Sequence, residues 1–182
     1  MSVIAAYYYN AGKRIREIAL DERFEQDEAR SGFCWIALRE PSADELHALQ
    51  TAYHLHPLAV DNAMHPLCPP KLEVYNDELY IVAQTAELVG DKISYGKTAI
   101  FTGHNHLITA RHGNGGALGN LREQLEASPT LLGKGVDYVL HAILHRIVDQ
   151  YLPIFEMIED DVLAMEKRSI DDFLGRDEVA RI

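Results

Sequence analysis

The pattern of apolar and polar residues predicts a mixed α/β fold for the first two-thirds of the chain. Short apolar or alternating runs, separated by turn residues, predict β-strands. The predicted strands are Val3–Tyr9, Arg14–Leu20, Phe33–Leu38, Leu72–Tyr75, Leu79–Glu87, Lys92–Phe101 and His106–Arg111. The run Phe33–Leu38 is apolar at nearly every position, which is typical of a strand that is covered on both faces. The charged segment Asp21–Arg30 indicates a short exposed helix or a loop.

Three helices are predicted between and after these strands. The segment Ser42–Glu45 has the form of a capping box, and apolar residues follow it at helical spacing as far as Tyr53. A second, short helix is predicted at Pro57–Met64, because proline suits the first helical position. A third helix is predicted at Asn120–Ala127, and Pro129 is expected to end it.

The last third of the chain has a different character. Val136–Arg168 is one long helical pattern without glycine, and its surface becomes acidic beyond Val148. Pro153 lies inside this pattern, so we expect a bend there. We therefore divide the chain into an α/β domain, residues 1–130, and a long acidic helical segment, residues 131–182. We expect that segment to pack against something outside this sequence.

Composition and charge limit the classes of protein to which this chain can belong. The chain has 182 residues, of which 47% are hydrophobic and 25% are charged, as in a folded soluble protein. A net charge of −11 repels phosphate backbones, so we do not expect nucleic acid as a partner. Two cysteines, Cys34 and Cys68, are too few for a disulfide framework and indicate a reducing compartment. We expect neither a signal peptide nor a membrane span within these residues.

Two groups of histidines are candidate metal ligands. His141 and His145 are four residues apart on the long helix, a spacing that can hold a transition metal on one face. The sequence between them lacks the glutamate of a metalloprotease, so we favour a solvated or interface pair over a zinc site. A soluble metal-dependent hydrolase that uses the two histidines and a nearby carboxylate remains an alternative. The second group includes a cysteine, and its spacing matches no structural zinc pattern closely. Its members are His54, His56, His65 and Cys68.

An aspartate and an asparagine offer a different kind of cation site. Asp61 and Asn62 are neighbours in the predicted helix Pro57–Met64. A carboxylate beside an amide oxygen can bind a hard cation when water completes the coordination shell. Pairs of aspartate and asparagine are common on protein surfaces, so this pair alone is weak evidence for a cation site.

Short motifs follow one another along the chain in a distinctive order. They are Trp35 on a strand before a helix, His56-Pro57-Leu58, Asp61, Pro70-Lys71-Leu72-Glu73-Val74-Tyr75, Asp137-Tyr138 and the acidic helical pattern after them. This order resembles the cytoplasmic domain of the CorA family of divalent-cation transporters, over about residues 33–168. Each motif is short, but their order and spacing make the resemblance fairly specific.

The resemblance implies an architecture and a role. It implies a three-layer α/β/α domain with a mixed, largely antiparallel sheet and long C-terminal helices that lead to a stalk helix. It further implies two membrane helices per subunit and a homopentamer around a pore, whereas the pore-mouth Gly-Met-Asn signature and both membrane helices are absent from this sequence. We therefore expect a sensor and assembly domain, not an enzyme, on the cytoplasmic side of the inner membrane. The transported ion is expected to be Mg²⁺, or Co²⁺, Ni²⁺ or Zn²⁺.

The resemblance also implies a role for two residues. In the family, acidic residues after the His-Pro-Leu motif face an acidic residue of the neighbouring subunit, and a divalent cation between them holds the channel closed. Asp61 keeps the first acid, whereas Asn62 replaces the second, which is expected to weaken a regulatory Mg²⁺ site. A zinc-transporter branch of the same superfamily and an oligomerisation module without a ligand remain alternatives.

Overall fold

The computed structural model describes residues 3–22, 32–65, 68–113, 118 and 120–179, with side chains described as far as residue 168. Its centre is a seven-stranded sheet with the strand order β2-β1-β3-β7-β6-β5-β4. The strands are β1 (Val3–Asn10), β2 (Lys13–Glu17), β3 (Gly32–Arg39), β4 (Lys71–Tyr75), β5 (Glu78–Val89), β6 (Lys92–Thr102) and β7 (His106–Gly113). The predicted exposed segment Asp21–Arg30 lies, beyond residue 22, outside the described residues.

The sheet is mixed and largely antiparallel, as predicted. Strands β3 and β7 are parallel, and they pair Cys34 with His106 and Arg39 with Arg111. The other neighbouring strands are antiparallel. The parallel pair lies in the middle of the sheet. The three strands that lie between β3 and β7 in the sequence, which are β4, β5 and β6, form the part of the sheet beyond β7.

Helices lie on both faces of the sheet and give the predicted three layers. The helices are α1 (Ala43–Tyr53), α2 (Pro57–Met64), α3 (Leu121–Glu126), α4 (Pro129–Leu132), α5 (Val136–Asp149) and α6 (Leu152–Val179). The first core lies between the sheet and α1 with α2. The second core lies between the sheet and α3, α4 and α5. Successive side chains of a strand point to opposite faces, so Ile36 enters the first core and Trp35 the second.

The prediction of one continuous helix from Val136 to Arg168 was wrong, because the structure has two helices in this region. Helix α5 ends at Asp149, residues 150 and 151 form a turn, and α6 begins at Leu152. Pro153 is thus the second residue of α6, where its missing N–H has no helical partner to lose. Pro129 behaves in the same way, since it begins α4 as well as following α3.

Helix α5 shares the second core with the sheet. Its residues Val136, Val139, Ile143 and Ile147 are buried there.

The predicted division of the chain into residues 1–130 and residues 131–182 stays a prediction. None of the helices within the described residues combines the length and apolarity needed to cross a membrane.

Candidate cation site on helix α2

Helix α2 has a start that is fixed by its first two motif residues. His56 is the N-cap residue in extended conformation, and its Nδ1 atom accepts a hydrogen bond from the N–H of Leu58 at 3.3 Å. Pro57 occupies the first helical position, where a missing N–H costs nothing. His56 therefore acts as a helix cap, which agrees with its position before a proline.

His56 also joins α2 to strand β4. Its ring stacks on the ring of Tyr75, with the centroids 3.9 Å apart and the planes 6° from parallel. The hydroxyl of Tyr75 donates to Glu73 at 2.7 Å, and the Nζ of Lys71 donates to the other oxygen of Glu73 at 3.2 Å. The hydrogen bond from Tyr75, followed by that from Lys71, lowers the pKa of Glu73. Two motifs that carry the family resemblance thus contact each other directly.

The other end of α2 is held by a buried lysine. Lys97 lies on β6, is 2% exposed, and shares its sheet face with Ala99 and Phe101 of the first core. Its Nζ donates to the backbone carbonyls of Asn62 at 3.2 Å and Ala63 at 3.0 Å, and also to that of His65. A cation suits this position because carbonyls at a helix C-terminus lack helical donors and carry partial negative charge. Burial lowers the pKa of Lys97.

Asp61 lies on the exposed side of this anchored helix. Its side chain is 60% exposed, and its Oδ1 is 3.9 Å from the Nδ1 of His65. That same Nδ1 lies 2.7 Å from the backbone carbonyl of Asp61, which accepts its hydrogen bond when Nδ1 carries the proton. Asn62 is half-buried, and neighbouring positions on a helix do not face each other. Asp61 therefore presents one carboxylate to solvent without Asn62 beside it.

The structure does not gather the histidines and cysteine around α2 into a metal centre. His56 caps the helix, His54 ends α1 in a left-handed conformation with φ 57°, and Cys68 is buried. Across the part of the chain that is described, no group of three or more histidine, cysteine, aspartate or glutamate side chains is arranged to hold a metal ion.

His141 and His145 lie on the other side of the molecule. Both are exposed on α5, and their ring centroids are 5.9 Å apart. The Nδ1 of His145 is 3.0 Å from a carboxylate oxygen of Asp149. The two candidate regions are therefore separated by the sheet, since α2 covers the first core and α5 the second.

Lys97 is the residue of the α2 region that sequence reasoning missed. A signal existed, because Lys97 shares its side of the strand with the apolar residues Ala99 and Phe101. The carbonyls that it contacts are 32 to 35 residues away along the chain, so no local pattern points to them.

Replacing Lys97 with methionine is expected to destabilise the chain by about 2 kcal/mol. Charged hydrogen bonds are worth about 1.5–3 kcal/mol, and the three carbonyls would lose their donor. The change would be measured as a lower urea midpoint. Lys92→Met, at an exposed position of the same strand, is the matched control and should leave the midpoint unchanged. Equal midpoints for the two variants would contradict this role of Lys97.

Comparison with known proteins gives a family-level match. Residues 30–181 match the family model described as CorA-like Mg²⁺ transporter protein. A putative metal ion transporter of Bacillus subtilis, YfjQ, is 28% identical over 146 residues, which are 80% of this chain and 44% of that protein. The chain thus spans less than half the length of this relative.

Two solved structures are similar in fold. The soluble domain of CorA from Methanocaldococcus jannaschii has a TM-score of 0.66 at 20% identity, over 94% of this chain and 66% of that one. The cytoplasmic domain of ZntB from Vibrio parahaemolyticus has a TM-score of 0.64 at 13% identity, over 87% of this chain and 63% of that one. At these identities the two likenesses establish the shared fold.

Proposed function

Because the chain belongs to the CorA-like Mg²⁺ transporter family, we propose that it is the cytoplasmic sensor and assembly domain of a divalent-cation transporter. The match over residues 30–181 is the observation that carries this proposal. The complete subunit would add a stalk helix and two membrane helices, would assemble as a homopentamer, and would lie at the inner membrane.

We place the regulatory cation at Asp61, on the exposed side of α2. The capped start of this helix at His56 and its C-terminal contacts with Lys97 support that placement, since they hold in a fixed position the helix that carries the carboxylate. A carboxylate from a neighbouring subunit, brought close to Asp61, would repel it unless a cation lay between them. Loss of the cation would then weaken the closed interface and favour opening.

The neutral side chain of Asn62 has a consequence for the strength of this site. One carboxylate on this side attracts a divalent cation less strongly than two would. Mg²⁺ also keeps several of its water ligands when it binds to proteins. The bound waters would therefore contact the Asp61 carboxylate, in addition to any direct bond between that carboxylate and the ion. We therefore expect a weak site that responds to high intracellular concentrations of the ion.

The cations that we propose as cargo are Mg²⁺ and Co²⁺. The family description favours Mg²⁺. A zinc transporter of the same superfamily is the second candidate, and the exposed histidine pair on α5 is the observation that favours it.

Replacing Asp61 with asparagine in the complete transporter should weaken its response to intracellular Mg²⁺. The variant keeps the shape of the side chain and removes the charge, so the closed state should require a several-fold higher Mg²⁺ concentration. Its stability should change by no more than about 0.5 kcal/mol, because the side chain is exposed. The measurement is the Mg²⁺ dependence of ion uptake into vesicles, with the unfolding midpoint of the chain as a check on folding.

Asp91→Asn is the matched control, since Asp91 is an exposed acid in the turn between β5 and β6. It should leave the Mg²⁺ dependence unchanged. The role of Asp61 would be refuted if both variants gated at the Mg²⁺ concentration of the unmodified transporter. The wider proposal would fail if the complete reading frame encoded no apolar membrane spans.

A further inference from the structure

The exposed histidine pair of α5 borders a cleft that the α2 site does not use. The cleft has a volume of about 340 Å³ and lies between α5 and the helices α3 and α4. His141, His145 and Asp149 line it at successive intervals of four residues, so all three project from one side of α5.

The rings of His141 and His145 lie close to each other. Their centroids are 5.9 Å apart, and their planes are at 77° to each other. Both side chains are exposed, so a metal ion can reach them without opening the core. Histidines at this spacing on a helix can donate one nitrogen each to the same ion.

Asp149 prepares one of the rings for binding. Its carboxylate oxygen lies 3.0 Å from the Nδ1 of His145, within reach of a hydrogen bond when Nδ1 carries the proton. In that tautomer the lone pair of the neutral ring is on Nε2. A carboxylate that accepts from the second ring nitrogen is a common partner of metal-binding histidines, because it fixes the tautomer and makes the ring more basic.

We propose that His141 and His145 form a binding site for a divalent transition-metal ion, with Asp149 as the positioning residue. Neutral imidazole suits Ni²⁺, Zn²⁺, Cu²⁺ and Co²⁺, whereas Mg²⁺ prefers oxygen ligands. Within the described residues no third side chain of the usual ligand types completes the set, so water fills the remaining positions. The bound ion is therefore exchangeable, as a sensing or loading site requires.

The charge around the cleft is compatible with a weak site. Arg146 also lines the cleft, and its positive charge opposes that of an incoming cation. Asp149 is on the same rim and offsets it. The site is distinct from Asp61 in position and in ligand chemistry, so the chain recognises imidazole-binding ions and hard ions on opposite faces of its sheet.

Calorimetric titration of the 182-residue chain with NiCl₂ tests the proposal. We expect the unmodified chain to bind Ni²⁺ and the variants His141→Gln and His145→Gln to bind it at least tenfold more weakly. Asp149→Asn should weaken binding by up to tenfold, and MgCl₂ in hundredfold excess should not displace Ni²⁺. Bound Ni²⁺ should also raise the melting temperature of the unmodified chain and not that of the double histidine variant.

Two controls separate this site from others. His47→Gln removes an exposed histidine from α1 and should leave Ni²⁺ binding unchanged. Asp61→Asn should also leave it unchanged, so failure of the α2 site and failure of this one are distinguishable. The proposal is overturned if the double variant His141→Gln/His145→Gln binds Ni²⁺ like the unmodified chain, if Mg²⁺ displaces Ni²⁺, or if no binding occurs at millimolar Ni²⁺.

Discussion

Replacing Trp35 with alanine is expected to lower the free energy of unfolding by about 3–5 kcal/mol, the usual cost of truncating a buried tryptophan. Trp35 is 2% exposed and lies in the second core, as its apolar strand predicts. The guanidinium of Arg122 lies 3.9 Å from its ring centroid, and the ring of Tyr9 is 6.2 Å away. The truncation therefore removes both a large packed volume and the aromatic face on which a half-buried cation rests.

The measurement is urea denaturation of the unmodified chain and of two variants. Trp35→Phe keeps a ring in the cavity and should lose less stability than Trp35→Ala. Tyr95→Ala is the exposed aromatic control, since Tyr95 is 70% exposed, and it should move the midpoint little. A midpoint for Trp35→Ala close to that of Tyr95→Ala would refute the importance of this packing.

Acidification is expected to destabilise the chain through His106. This side chain is 4% exposed, and burial lowers its pKa to about 4. The ring lies against Tyr53, with centroids 5.2 Å apart, and its Nε2 is 3.8 Å from a carboxylate oxygen of Glu78. A pKa that is lower in the folded chain means that the unfolded chain binds the proton first as the pH falls.

The stability that depends on neutral His106 is fully present above the unfolded pKa of about 6.5 and is lost as the pH falls toward 4. The fall of the His106 pKa from about 6.5 in the unfolded chain to about 4 in the folded chain corresponds to about 3 kcal/mol of stability in total. Burial raises the pKa of Glu78, so protonation of Glu78 favours the folded chain at acid pH and opposes part of this loss. A comparison of variants is therefore needed to isolate the histidine.

His106→Gln should remove most of the difference in urea midpoint between pH 7 and pH 5. The glutamine cannot take up a proton in this range, whereas Glu78 is retained in both proteins. His47→Gln, which removes an exposed histidine, should keep the pH dependence of the unmodified chain. An unchanged pH dependence in His106→Gln would show that other groups cause the acid sensitivity.

Local signals in the sequence predicted most of the elements. The capping box is present, with the Ser42 side chain accepting from the Glu45 N–H and the Glu45 carboxylate accepting from the Ser42 N–H. Pro57 begins α2 as expected. Such signals work because caps and prolines act within three or four residues, so the sequence contains both partners of the interaction.

The break between α5 and α6 was not predictable by the same means. Residues on both sides of it continue one helical pattern, and Pro153 suggested a bend in place of a new start. The turn at residues 150–151 is held by a distant contact, in which the hydroxyl of Tyr151 donates to the carbonyl of Gln84 at 2.7 Å. Contacts between residues that are far apart in the chain are not visible in a local pattern.

The same limit applies to the α2 site. The motif predicted that Asp61 lies in a short helix after His56-Pro57, and the structure places it there, exposed. The motif did not predict the lysine that binds the carbonyls at the end of that helix. Lys97 lies on strand β6, 34 residues along the chain from Ala63. The cation itself stays a prediction, since its partner carboxylate is proposed to come from another subunit.

The central parallel strand pair has a consequence for how the chain is made. Cys34 and its partner His106 are about 70 residues apart, so this pairing closes a long loop, which costs entropy and slows folding. During translation, β1, β2 and β3 leave the ribosome long before β7 exists. Until β7 arrives, β3 presents an open hydrogen-bonding edge on a strand of almost wholly apolar residues. We therefore expect newly made chains to depend on chaperones most strongly during this interval.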